Sequence, residues 1–258
     1  MDLGIAGRKA IVCASSKGLG KGCARSLALA GCEVVINGRN ADVLAATARE
    51  LAATGARIIP VVADVSTRAG QDALLAACPD PDILVNNNGG PPPKGFRDIG
   101  REAMIDGVIQ NMITPIELVQ RVIDGMVQRG FGRIINITSA SVRTPLPGLD
   151  LSSGARAGLT AFLAGVAREV AHANVTINAI LPGAFDTDRL ASGTKRIAEQ
   201  RGVDPATVTK ERIAGIPARR LGQSDEFGEL CAFLASQQAG YITGQSVLID
   251  GGAFRTAF

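Results

Sequence analysis

Seven short apolar runs rich in β-branched residues recur along the chain, at 9–13, 33–37, 57–63, 83–86, 133–138, 176–181 and 246–249. Between them lie longer stretches whose apolar residues fall three and four apart, at 19–30, 41–54, 67–77, 101–128, 152–171 and 225–235. Continuous apolar runs predict parallel strands buried on both faces, and the wider period predicts helices that cover those faces. The alternation therefore predicts an α/β fold, a doubly wound parallel sheet of about seven strands with helices on both sides. No linker or long repeat interrupts it, so residues 1–258 read as one domain, and a chain of this length can bury a sizeable core.

Two stretches break the rhythm. Residues 89–95 (Gly-Gly-Pro-Pro-Pro-Lys-Gly) predict a loop, because proline has no N–H to give a ladder and glycine relaxes the backbone. It follows the fourth strand, and ligands of open α/β sheets bind outside the carboxyl ends of the strands. Residues 184–217 carry amphipathic helical fragments at 187–200 and 205–213, placed between the sixth and seventh strands. Their position suits a lid over a substrate pocket, and a plain surface excursion accounts for them equally.

Charge and composition narrow the function classes. A net charge of +3 with scattered basic residues gives no nucleic-acid surface and no membrane-binding patch. No run approaches the ~18 apolar residues of a membrane span, and the first residues lack a secretory leader pattern, so a cytoplasmic protein is expected. The five cysteines form no CxxC pair and the single histidine is His172, which predicts neither a disulfide framework nor a metal site. Cys13 reads as a small buried residue at a strand end and His172 as a surface residue after a helix.

The candidate chemistry begins after the first strand, where Cys13-Ala14-Ser15-Ser16-Lys17-Gly18-Leu19-Gly20 leads into a helix. Such a turn lets the backbone approach a pyrophosphate, held by free N–H groups at the helix N-terminus. The second strand ends in Asn37-Gly38-Arg39, with no carboxylate to grip the ribose hydroxyls of NAD. Arg39 and Lys17 instead offer positive charge to the 2'-phosphate of NADP, so NADP(H) is expected in preference to NAD(H).

With these residues the chain resembles the short-chain dehydrogenase/reductase family over essentially its whole length. Ala14 to Gly20 resembles the family's TGxxxGxG turn, with Cys13 and Ala14 replacing threonine and the first glycine. Asp64-Val65 is similar to the adenine contact, and Asn86-Asn87-Asn88-Gly89 to the NNAG motif with Asn88 in place of alanine. Asn111 matches the asparagine of the central helix, Ser139 the catalytic serine, and Pro182-Gly183 through Phe185 to Thr187 the PGxxxT element beside the nicotinamide. The resemblance implies a Rossmann-type fold and a homo-oligomer, a tetramer or dimer. Apolar residues of the two long central helices (Met104, Val108, Met112, Ala157, Ala161, Ala164) and the terminal stretch 253–258 are expected at its interfaces.

Within the family the chain is most similar to 3-oxoacyl carrier-protein reductases, in which a tyrosine follows the serine by thirteen positions and a lysine follows by four more. Here those positions are Ser152 and Arg156, and the only tyrosine of the chain is Tyr241. A serine hydroxyl is a far weaker acid than a phenol, and Arg156 can still hold the ribose hydroxyls of the cofactor but cannot relay a proton, so the family's proton donor and its partner are both replaced. Ser152 pairs with Ser139 around a developing oxyanion, or Ser152 and Ser153 cap the following helix; the two roles are compatible. Asp150 reads as a solvated loop carboxylate.

Two functions fit. One is an NADP(H)-dependent oxidoreductase acting on a small or acyl-thioester carbonyl or alcohol, with Asn111, Ser139, Ser152 and Arg156 as the catalytic set. The other is a catalytically silent NADP(H)-binding protein used in sensing or assembly. The charges Asp188, Arg189, Lys195 and Arg196 on the lid fit a phosphate-bearing acyl carrier or a solvated helical face.

Overall fold

The computed structural model describes residues 2–256. Met1 lies outside them, as do Ala257 and Phe258 of the stretch expected at a subunit contact. Seven strands, β1 (Lys9–Val12), β2 (Glu33–Gly38), β3 (Ile58–Val62), β4 (Ile83–Asn86), β5 (Gly132–Ile137), β6 (Val175–Pro182) and β7 (Ser246–Ile249), form one sheet. All pair in parallel, in the order β3-β2-β1-β4-β5-β6-β7. The order reverses direction between β1 and β4, where parallel sheets of this kind open a crevice for ligands.

Nine α-helices lie among the described residues: α1 (Gly18–Leu29), α2 (Ala41–Ala52), α3 (Arg68–Ala77), α4 (Arg101–Val108), α5 (Thr114–Arg129), α6 (Asp150–Val170), α7 (Asp188–Arg201), α8 (Pro205–Ala214) and α9 (Ser224–Ala235). Alternate strand residues feed two cores. Val12, Val34, Ile36 and Val85 pack toward α1 and α9, while Ile11, Val35, Leu84 and Ile134 pack toward α5 and α6. Helices α1 and α9 meet backbone to backbone: a Cβ at Gly22 would stand 2.1 Å from the Ser224 carbonyl oxygen, and one at Gly228 2.2 Å from that of Gly22. Only glycine fits either place. None of the described helices is long and apolar enough to cross a membrane.

Two expectations are corrected. The helix foreseen over 101–128 is interrupted by a π turn at Ile109–Ile113. Pro115, at the start of α5, has no N–H to return to the Asn111 carbonyl, so the α-helical hydrogen-bond register cannot pass unbroken. The second concerns α6, which starts at Asp150 rather than Ser152, with Leu149 as its N-cap. Ser152 and Ser153 therefore lie inside the first turn and do not cap it. Asp150, exposed, belongs to that turn and not to a loop.

Candidate active site

The first wall of the crevice is the turn between β1 and α1. Ala14 adopts a left-handed backbone, φ +43°, at the position where the family places a glycine. Buried Asn37 holds it there: its Oδ1 accepts the Ala14 N–H at 3.2 Å, and its Nδ2 donates to the Val61 and Ala63 carbonyls at 3.1 and 3.0 Å. Asn87 Nδ2 donates to the Ala14 carbonyl at 3.0 Å, and Thr47 Oγ1 to that of Ser16 at 2.7 Å. No side chain caps α1, as none caps α4, α5 or α6, while Asn40, Thr67, Thr187 and Asp204 cap α2, α3, α7 and α8. The first-turn N–H groups at Gly18, Leu19 and Gly20 are thus left for an anion. Burial pushes the Cys13 thiol up to about 12, so it is inert at neutral pH. All five cysteines are buried and free.

The two cations foreseen for a 2'-phosphate stand at the mouth. Lys17 Nζ lies 3.1 Å from Asp188 and Arg39 Nη1 3.7 Å from Asp64, with Lys17, Asp188 and Arg39 exposed and Asp64 half-buried. Such surface pairs contribute little and exchange readily for a phosphate. Asp64 is held below its usual carboxylate range by hydrogen bonds from Ser66, with a smaller contribution from Arg39. Val65 beside it is buried and lines the cleft.

Beyond the turn, the strand ends are cross-linked by asparagines. Asn86 Nδ2 donates to Asn136 Oδ1 at 3.0 Å, Asn136 Nδ2 to the Asn178 carbonyl at 3.3 Å, and Asn178 Nδ2 to the Ile242 carbonyl at 2.8 Å. After β6, the Gly183 N–H bonds the Ile249 carbonyl at 2.9 Å, next to Pro182. Phe185 turns its ring into the core, edge-on to Phe227 at 5.5 Å, so it offers the crevice only backbone. Thr187 Oγ1 caps α7 through the Leu190 N–H. Gly89 is exposed at the start of the proline loop, its N–H on Asn88 Oδ1.

Asn111 and Arg156 line a single narrow cleft together with Asn86, Asn87 and Thr114. Three of its buried acceptors, Asn86 Oδ1, Asn111 Oδ1 and Thr114 Oγ1, have no partner among the described residues. Buried Arg156 donates from Nε to Ser152 Oγ at 3.1 Å and from Nη1 to the Ile137 carbonyl at 2.6 Å. Burial, with the charge of Arg189 added, lowers its pKa to about 10, and it is protonated at neutral pH. Ser139 lies at the end of β5, where its Oγ accepts from the Ser141 N–H at 3.1 Å and the Ser141 hydroxyl at 2.9 Å. Each serine thus accepts from behind, and its own proton is free to donate forward. The single tyrosine, Tyr241, is fully exposed.

A family profile described as Enoyl-(Acyl carrier protein) reductase matches residues 13–253. The chain belongs to the short-chain dehydrogenase/reductase family. Among similar short-chain dehydrogenase/reductase proteins, the NADPH-dependent reductase BacG of Bacillus subtilis is 32% identical, with 96% of this chain and 98% of BacG covered. An acetoacetyl-CoA reductase of Allochromatium vinosum is 34% identical, covering 96% and 98%. The solved L-sorbose reductase from Gluconobacter frateurii, complexed with NADPH and L-sorbose, superposes at TM-score 0.93 with 29% identity, covering 99% of this chain and all of that one.

Sequence reasoning missed several residues that build this site. Asn37 was read only as the absence of a carboxylate, yet a buried amide at the end of an apolar strand signals a hydrogen-bonding post. Ser141, two residues after Ser139, and Thr47, on α2, carried no periodic signal. Arg189 was counted as lid charge, although it reaches the Gly90 carbonyl at 3.4 Å.

Proposed function

We propose that this protein is an NADP(H)-dependent oxidoreductase that moves hydride between the nicotinamide and a carbonyl or alcohol, a 3-oxoacyl thioester among the candidates. One observation carries the reading: an uncapped helix N-terminus, two re-pairable cations and a cleft with three unpartnered acceptors lie along one sheet edge. That donor and acceptor set fits a phosphorylated dinucleotide. The NADPH dependence in the names of BacG and of the L-sorbose reductase complex supports the same cofactor.

In this reading the N–H groups of Gly18, Leu19 and Gly20 hold the pyrophosphate, and Lys17 and Arg39 release their carboxylates to take the 2'-phosphate. Ala14, Ser16, Asp64, Val65, Asn86, Asn87, Gly89, Pro182, Gly183, Phe185 and Thr187 frame the nucleotide, the phenylalanine through backbone alone. When bound, NADPH supplies hydride to the substrate carbon. Ser139 and Ser152 hydrogen-bond the substrate oxygen as negative charge grows there, and Arg156 stabilises that charge through Ser152. Arg156 stays protonated, so the proton comes from solvent admitted beside Asn111. A general acid contributes about 10² to 10⁴ in rate, and without one the carbonyl reaction is slow. The exposed apolar residues Met104, Val108 and Phe162 support a homo-oligomer.

Fluorescence titration with NADPH and NADH, followed by absorbance assays on ketones and 3-oxoacyl thioesters, tests the proposal. Tighter NADPH binding, reduced by Arg39→Ala, and measurable turnover are expected. Binding without turnover on any carbonyl would favour a silent nucleotide-binding protein, consistent with the replaced tyrosine and lysine. Equal affinity for NADH would remove Lys17 and Arg39 from their assigned role.

A further inference from the structure

Several buried hydroxyls of this chain donate to main-chain carbonyls: Ser15 to Val12 at 2.7 Å, Thr47 to Ser16 at 2.7 Å and Ser153 to Leu149 at 2.9 Å. Ser141 does otherwise. It lies two residues past Ser139 on the short turn after β5, only 1% exposed, and its hydroxyl donates to Ser139 Oγ at 2.9 Å. That hydroxyl makes no other hydrogen bond among the described residues, so turning its proton away from Ser139 would leave a buried donor unpaired.

The Ser141 N–H reaches the same oxygen at 3.1 Å. A serine oxygen has two acceptor positions, and residue 141 takes both. What remains to Ser139 is its own proton, which can only point away from Ser141. Ser139 is half-buried where Ser141 is enclosed, so that other side is open. A carbonyl oxygen, or the oxyanion growing from it, only accepts and matches such a donor. An alcohol oxygen carries a proton as well, and finds no lone pair on Ser139 to receive it.

We infer that Ser141 is a positioning residue that fixes Ser139 as a one-way donor, so that the site favours a carbonyl oxygen over that of the corresponding alcohol. The inference rests on the carbonyl and alcohol reading of this site proposed above. Ser141 does not touch the substrate and acts through Ser139 alone. Ser141→Ala gives Ser139 a free acceptor position and lets its hydroxyl rotate, which loosens a ketone and offers an alcohol the acceptor it lacks in wild type. Ser141→Thr keeps the hydroxyl and with it the preference.

Calorimetric titration of wild type, Ser141→Ala and Ser141→Thr tests this, with matched melting temperatures as the check on folding. The probes are the ketone turned over fastest in the absorbance assays and its alcohol, or cyclohexanone and cyclohexanol where none is turned over. The ketone is titrated into NADP⁺-saturated protein and the alcohol into NADPH-saturated protein, two complexes in which no hydride can move. Each variant is compared with wild type probe by probe, which cancels the difference between cofactor forms. One oriented hydrogen bond corresponds to about two- to tenfold in affinity. Ser141→Ala weakens the ketone by that factor and leaves the alcohol unchanged or tighter, while Ser141→Thr keeps the wild-type ratio. A merely structural role moves both probes together, so equal losses, or no loss for either, overturn the inference; so does a wild type that binds no ketone. Neutron diffraction needs neither ligand nor cofactor: the Ser141 deuteron lies on the line to Ser139 Oγ, and a Ser139 deuteron aimed at Ser141 overturns the inference. Wild-type protein that binds neither cofactor form sinks the oxidoreductase reading. The probes are then titrated into the protein alone, and their ratio with the neutron map decides whether Ser141 sets the Ser139 proton.

Discussion

Ala14 holds a left-handed backbone that glycine adopts freely, so Ala14→Gly is expected to stabilise the protein. An L-residue with a Cβ in that conformation costs about 1–2 kcal/mol, from the clash of Cβ with the following carbonyl. Glycine gives back about 0.5–1 kcal/mol through the extra freedom of the unfolded chain. The net gain is about 0.5–1 kcal/mol. For a chain of this size, at about 2–4 °C per kcal/mol, the melting temperature rises by about 1–4 °C. Differential scanning at matched protein concentration reads this, with Ala14→Val as the opposite control, because a branched side chain worsens the same clash. The hydrogen bonds of Ala14 with the Asn37 and Asn87 side chains use only the backbone N–H and carbonyl of residue 14 and survive both changes. A fall in melting temperature for the glycine variant, or a valine variant as stable as wild type, would show that the turn is not strained at Ala14.

Asn37→Ala leaves the Ala14 N–H and the Val61 and Ala63 carbonyls without this partner, and stability in urea should fall by about 3 kcal/mol or more. Placing Tyr at Ser152 and Lys at Arg156 together restores a phenolic acid and the partner that lowers its pKa, and ketone reduction should rise by about 10² to 10⁴ in a variant first checked for folding and NADPH binding. No gain in such a variant, with native turnover abolished by Ser152→Ala, would show the serine to act by a different route. Turnover that relies on the Arg156 charge should fall as pH rises through about 10. Stability moves the other way: the folded pKa lies below the unfolded one, so burying the charge costs stability at neutral pH and is relieved above about pH 10, a trend that Arg156→Met should erase in pH-dependent unfolding.

The sheet was legible because its strands are buried on both faces, and apolar runs at 33–37 or 133–138 have little other use. The turn between β1 and α1 was legible because its glycines precede a helix and follow a strand. What escaped depends on single hydrogen bonds. The π turn at Asn111 follows from the one N–H missing at Pro115, a defect that leaves the apolar spacing of 101–128 intact. The start of α6 shifted because Asp150 and Leu151 prolong the helix backwards, turning Ser152 from an expected cap into an acceptor for Arg156. Phe185 matched a cofactor motif, and only the contact with Phe227 reveals that its ring is turned away.

The glycine seam between α1 and α9 makes the two walls of the crevice mechanically unequal. With Gly22 and Gly228 in backbone contact and only small side chains such as Ser26 and Ser224 beside them, the seam has little freedom to repack, so α1 and the turn ahead of it move with α9 and the sheet. The opposite wall, α7 and α8, is fastened across the crevice by an exposed ion pair and one long hydrogen bond to the proline loop. Adaptation to ligands of different size therefore falls on the α7 side, as in a vice with one fixed jaw. Sequence changes that retune the substrate should gather there, while those near Gly22 and Gly228 should be felt first as lost stability.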